Sequence, residues 1–316
     1  MPIWRFRSVT DTSMMFMMIG KGRHSLPRQG SIAIDRKAPP FDEFKSIRWL
    51  ASARSGQHSH ERARHHLYVG TGKKRPVDVL IKVTSKPGRV YEQDLENEIA
   101  TLGTINRELP DSRYFPHVYK HGHLGDGRLY LVMSLFDEFP LATTVGAEPA
   151  PGRLVAHLMA AIEVARALAE IHRLEIFHVE LNPMNILYRT ERGRPVIRLV
   201  DFESSYERAR HAQGVFYNPP TTPGYTAPEA ARRAPDARSD LFSLGAVLYA
   251  LLSGDLWVRQ EDLRPRIQSD DTLDAELQEA LLAAVATDPA DRYPSVTTFQ
   301  AALTAYLEQI WPGRSW

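Results

Sequence analysis

Phe177-His178-Val179-Glu180-Leu181-Asn182-Pro183-Met184-Asn185-Ile186-Leu187-Tyr188 is the stretch that decides the fold, and Val200-Asp201-Phe202-Glu203 follows about a dozen residues on. An acid is followed five residues later by an asparagine, and then by an aspartate on a second apolar segment. Such an arrangement suits a metal-nucleotide. The acid can face an acceptor hydroxyl, while the amide and carboxylate oxygens can hold a cation between phosphate oxygens.

These residues resemble a protein kinase, whose catalytic loop reads H-R-D-L-x-x-x-N and whose metal segment reads D-F-G. His178, Leu181, Asn185, Asp201 and Phe202 match, whereas Val179, Glu180 and Glu203 depart. The resemblance runs from about Phe44 to Leu307 and is ordered from Lys82 onward. Val79-Leu80-Ile81-Lys82 stands for the family's V-A-I-K strand, so Lys82 is placed on the α- and β-phosphates. Taken alone, Lys82 reads equally as an ordinary strand-edge lysine. Glu98, with Glu96 as the alternative, maps to the helix glutamate that pairs with that lysine. Met133 would screen the back of the pocket, and Ser134, Leu135 and Phe136 would belong to the hinge that grips adenine. Only Gly56 stands where a glycine-rich loop should cover the phosphates.

Downstream, Thr222-Pro223-Gly224-Tyr225-Thr226-Ala227-Pro228-Glu229 resembles the end of the family's activation segment. Ser239 to Gly254 resembles the helix whose aspartate, here Asp240, braces the catalytic loop. Asp288 to Ser295 resembles the segment whose arginine, here Arg292, meets Glu229. The plainer reading of that last pair is two surface charges of little energetic weight. The implied fold is α+β and bilobal: an antiparallel-sheet N-lobe with one helix over 44–137, and a larger, mainly helical C-lobe over 138–316. Residues 1–43 form an extension or strap with a Met-rich patch at 14–19.

The rest of the chain adds bounds. It has 316 residues, enough for one two-lobed domain or two ordinary ones. Basic and acidic side chains number 39 and 38, a net charge of +1, so nothing global points to nucleic acid. There are no cysteines, which excludes disulfides, thiolate nucleophiles and cysteine zinc sites. No stretch reaches the ~20 apolar residues of a membrane span, and a soluble cytoplasmic protein is the expectation. Oligomeric state is left open. Periodicity predicts a helix over 91–106 and another over 154–172, with short strands at 47–50, 66–69 and 77–83. Ser52 to Arg62 reads as a polar turn, and the histidines at 58, 60, 65 and 66 as part of a solvated loop rather than a metal site. The histidines at 117, 121 and 123 read as structural.

The departures divide the functional reading. Glu180 keeps the acid but sits one methylene further from the backbone. A displacement near 1 Å can cost about a hundredfold in rate. Asn182 replaces the loop lysine, a loss on the order of 3 kcal/mol of transition-state stabilisation. Val179 replaces the arginine that reads activation-loop phosphorylation, so little dependence on phosphorylation of Thr221 or Thr222 is expected. Glu203 replaces a flexible glycine. The resemblance implies ATP and Mg2+ as cofactors and a protein substrate or signalling partner. Three activities fit: a serine/threonine kinase with an altered loop, a pseudokinase acting as a nucleotide-binding scaffold, or a small-molecule phosphotransferase, which also favours an acid after the metal aspartate.

Overall fold

The computed structural model describes residues 34–54, 63–74, 77–145, 153–214, 217, 222–230 and 232–313. Gly56, His58, His60, Thr221 and the Met-rich run lie outside the described residues. The chain divides into two compact units. One takes the chain through Ile99 together with His117–Asp137, and the other takes Ala100–Pro116 and the chain from Glu138 onward.

The first unit is built on a five-stranded antiparallel sheet: β1 (Phe44–Arg54), β2 (Ala63–Gly72), β3 (Asp78–Thr84), β4 (Val118–His123) and β5 (Leu129–Ser134), in the order β1-β2-β3-β5-β4. Its apolar core joins Tyr68, Val79, Ile81, Val83, Tyr130 and Val132 with Phe41, which meets Tyr68 edge-on at 6.2 Å. The β4–β5 turn closes through Gly127, whose φ of +84° suits glycine, and through Asp126, whose side chain accepts from the Arg128 amide at 3.1 Å. The helix α1 (Arg89–Glu108) starts where Glu92 accepts from the Gly88 amide at 2.9 Å. It buries Leu95, Leu102 and Ile105, seven and three residues apart, on one face.

Two sequence expectations need correction here. Ser52, Ala53 and Arg54 are not in a turn; they continue β1, with Ser52 opposite His66 and Ala53 opposite His65. His65 and His66 are not in a solvated loop but buried in β2, which contains the strand expected from His66 to Val69. That strand lies between β1 and β3 and is buried continuously from His65 to Gly70, so no polar-apolar alternation marks it. The His66 imidazole is kept neutral there. Burial first, then the nearby charges of Arg128 and His65, push the His66 pKa down to about 4.

The second unit is mainly helical. α2 (Arg153–His172) and α4 (Ala237–Ser253) run through its core, and α5 (Gln260–Ser269), α6 (Ala275–Ala284) and α7 (Val296–Ile310) pack around them. α4 is buried along almost its whole length, which its composition of Leu, Ala, Val and Phe allows. It begins in a capping box between Asp236 and Ser239 and ends at Gly254, whose φ is +76°. Gly245 lets α6 come close: a Cβ there would stand 2.8 Å from the Ala284 Cβ. Short strands carry the loops of interest. β6 (Phe139–Pro140), β8 (Ile186–Glu191) and β9 (Arg194–Leu199) make one sheet, and β7 (Ile176–Phe177) pairs with β10 (Tyr206–Glu207) ahead of the short α3 (Arg208–His211).

Candidate active site

In the first unit, Lys82 sits mid-strand on β3, opposite Leu67 of β2 and Leu131 of β5. Its ammonium meets Glu98 Oε2 at 2.6 Å, and both side chains are almost wholly buried. Glu96 is exposed, so α1 aims Glu98 and not its neighbour inward. A buried ion pair of this kind is costly to break from one side, because the survivor is left uncompensated. Met133 is buried on β5, opposite Leu80 and Val118. Ser134 ends that strand, its amide donating to the His117 carbonyl at 2.9 Å, and Leu135 and Phe136 follow in irregular, half-buried chain.

In the second unit, the loop between β7 and β8 is held by α4. Asp240, fully buried, accepts from the amides of His178 (2.8 Å) and Val179 (2.7 Å) and also meets His172 Nε2 at 2.7 Å. Val179 has a φ of +65°, a region that a β-branched residue rarely occupies. The two hydrogen bonds to Asp240 hold it there. The His178 ring contacts the Val200 carbonyl at 3.1 Å and tilts against Phe202 at 4.8 Å. Phe202 is fully buried and also meets Phe115 edge-on.

The β8–β9 register brings the two metal-ligand candidates together. Ile186 pairs with Leu199, and the Val200 amide donates to the Asn185 carbonyl at 3.0 Å. Asp201 is the next residue, with a φ of +68°, which aspartate tolerates better than most. The Asn185 Nδ2 donates to the Glu180 carbonyl at 3.1 Å, so Oδ1 is the atom Asn185 has to offer a cation. An amide oxygen and a carboxylate form the all-oxygen donor set that Mg2+ takes.

Glu180 is half-buried, and its carboxylate accepts one hydroxyl on each oxygen: Thr222 Oγ1 on Oε1 and Ser204 Oγ on Oε2, both at 2.7 Å. Burial raises its pKa to about 7, and the charges of Asp201 and Glu203 add to the rise; the hydroxyls of Ser204 and Thr222 oppose it.

Asn182 differs most from what its position implied. It is buried and bridges the loop from within: Nδ2 donates to the Glu180 carbonyl at 3.1 Å, while Oδ1 accepts from the amides of Met184 (2.9 Å) and Asn185 (3.3 Å). It shapes the loop, as asparagine does in turns generally.

Behind this loop, Arg292 grips Glu229 through both guanidinium ends at 2.8 and 2.9 Å, and Ser239 Oγ adds a third bond at 2.8 Å. Burial alone would raise the Glu229 pKa, but Arg292's hydrogen bonds and charge leave it below the usual carboxylate range. Arg292 also donates to the carbonyls of Ala286 and Arg238 and lies 4.9 Å from the Phe242 ring.

Ser204 carries no motif in the sequence. The only signal there is a hydroxyl pair, Ser204-Ser205, just past Glu203, and nothing in the string says where either hydroxyl points.

This architecture and loop define a protein kinase. The protein kinase domain family matches residues 70–309, and the chain belongs to that family, with its α+β bilobal fold. Over 201 residues it is 32% identical to the serine/threonine-protein kinase Pkn1 of Myxococcus xanthus, covering 58% of this chain and 28% of that one. Over 133 residues it is 40% identical to the DNA damage-responsive serine/threonine-protein kinase RqkA of Deinococcus radiodurans, covering 40% of this chain and 19% of the other. The similarity thus spans less than a third of either relative. The crystal structure of the Mycobacterium tuberculosis PknI kinase domain resembles it with a TM-score of 0.55 at 23% identity, covering 83% of this chain and 96% of that one, a likeness of fold. Among the described residues no helix is long and apolar enough to cross a membrane.

Proposed function

We propose that the protein transfers the γ-phosphoryl group of Mg-ATP to serine or threonine hydroxyls of a protein substrate, with Glu180 receiving the acceptor hydroxyl. The observation that carries this reading is the pair of alcohol groups already seated on the Glu180 carboxylate at 2.7 Å. A group that accepts two hydroxyls in that geometry is built to orient a third. A pKa near 7 matches a general base to neutral pH, whether the proton leaves early or late. Lys82, fixed by Glu98, would pair with the α- and β-phosphates, and backbone groups of Met133 to Phe136 would meet adenine. Asn185 and Asp201 would hold Mg2+, which when bound neutralises phosphate charge. The serine/threonine relatives support the choice of acceptor, and a partner or substrate protein follows from the family.

A second reading is a nucleotide-binding pseudokinase. It is favoured by Asn182, whose amide is spent inside the loop where the family places a lysine, and by the negative sign of both charges acting on Glu180.

Two measurements decide. ATP with Mg2+ is expected to raise the melting temperature of the wild type; no shift at millimolar nucleotide would refute nucleotide binding. Transfer from labelled ATP to a generic protein substrate is expected for the wild type and to fall about 10²–10⁴-fold in Glu180→Ala. Equal background transfer in both would leave the pseudokinase reading standing. Glu180→Asp is expected to lose rate, because the shorter acid withdraws from Ser204 and Thr222.

A further inference from the structure

Glu180 has one more rotatable bond than an aspartate, and a carboxylate swinging through several rotamers orients nothing. In the structure that freedom is removed from two sides. Thr222, just ahead of the turn that starts at Pro223, holds Oε1, and Ser204 holds Oε2 from the turn after Phe202. The turn itself is anchored. Phe202 is fully buried between Phe115 and His178, and the Phe202 carbonyl accepts from Ser205 through its hydroxyl at 2.6 Å and its amide at 3.2 Å. Ser204 lies between these two fixed residues, so its hydroxyl is presented from a backbone that has little room to move.

We propose that Ser204 is a positioning residue: its hydroxyl, acting with that of Thr222, fixes the Glu180 carboxylate and takes up the extra length of the glutamate side chain. This rests on the reading of Glu180 as the group that receives the substrate hydroxyl. The clamp does not block that role. Each carboxylate oxygen has about two acceptor sites, and Ser204 and Thr222 occupy one on each. The negative neighbours, Asp201 and Glu203, repel the carboxylate, so the two neutral donors set where it rests. The serine thus does for a glutamate what a shorter side chain would do by its own reach.

The test combines kinetics with direct observation of the side chain, using the full chain. Ser204→Ala is expected to lower kcat about tenfold or more, on the way to the hundredfold that a 1 Å misplacement costs. KM for ATP is expected to stay within about twofold, because nucleotide contacts do not run through Ser204. Ser204→Thr, which keeps the hydroxyl, is expected to recover most of the rate. In a Glu180→Ala background, removing the Ser204 hydroxyl is expected to change nothing further. In a crystal structure of Ser204→Ala, Glu180 is expected to spread over more than one rotamer. A Glu180 side chain that keeps its single orientation in that variant overturns the proposal, whatever the rate does. So do additive losses in the double variant. If the wild type transfers no phosphate while Glu180 loses its orientation in Ser204→Ala, the clamp stands and the transfer reading fails.

Discussion

Glu180 and Glu229 are the same side chain in the same unit, and their surroundings push them in opposite directions. Glu229 meets a guanidinium through two hydrogen bonds, and its pKa falls. Glu180 meets two neutral hydroxyls beside two negative charges, and its pKa rises to about 7. Burial opposes ionisation at both positions. What separates them is whether a cation is supplied. Supplying one turns the carboxylate into a fastener that stays ionised. Withholding one leaves it ready to exchange a proton near neutral pH, which a fastener cannot do.

Three perturbations probe that contrast. The largest effect is expected from Arg292→Ala, which strands Glu229 as a buried charge and costs about 3–5 kcal/mol of stability in denaturant unfolding. A loss below about 1 kcal/mol would mean the pair is no fastener. Next comes Asn182→Lys, which restores the family's residue. Because it removes the acceptor from the Met184 and Asn185 amides, it is expected to cost about 1–3 kcal/mol and not to raise the transfer rate. Faster transfer would show that the loop can spare its internal bridge.

The smallest effect is in pH dependence, and its sign separates the two glutamates. For Glu229 the folded pKa lies below the unfolded value near 4.5, so the stabilisation is present above that value and disappears as pH falls through the folded pKa. For Glu180 the folded pKa lies above the unfolded one, so wild-type stability falls as pH rises from about 4.5 to 7 and levels off beyond. Melting temperatures of Glu180→Gln should therefore gain on wild type from acid to pH 8, by a few degrees at about 2–4 °C per kcal/mol. Those of Glu229→Gln should lose ground over the acid limb instead. Parallel trends in the two variants would erase the distinction.

Much of the frame is legible in the string because it depends on spacing. Lys82 on a strand, Glu98 on the next helix, Asp240 at the head of an apolar helix and Arg292 in a late acidic turn each stand at a recognisable offset. The structure brings Lys82 to Glu98, Asp240 to the catalytic loop, and Arg292 to Glu229. The missed features all involve short polar groups whose partners are chosen by the path of the backbone. Asn182 could have pointed outward like the lysine it replaces, but the turn through Pro183 offers it three bonds inward. Ser204 acquires its role only because Phe202 and Ser205 are pinned on either side. His65 and His66 look like loop residues in a hydrophilic run, and only the placement of β2 between two strands buries them. Spacing carries long-range pairing. Local hydrogen bonding needs the dihedral angles.

One of those angles has a wider consequence. Val179 has its left-handed φ where Asp240 grips its own amide and that of His178. The loop is therefore a bent spring with its catch on another element. Releasing the catch would cost His172, at the end of α2, its 2.7 Å partner as well. It would let the valine snap back to an ordinary backbone angle and carry Glu180, the very next residue, out of line. The line of Glu180 is thus set in part from α4, by a carboxylate that does not itself touch that side chain.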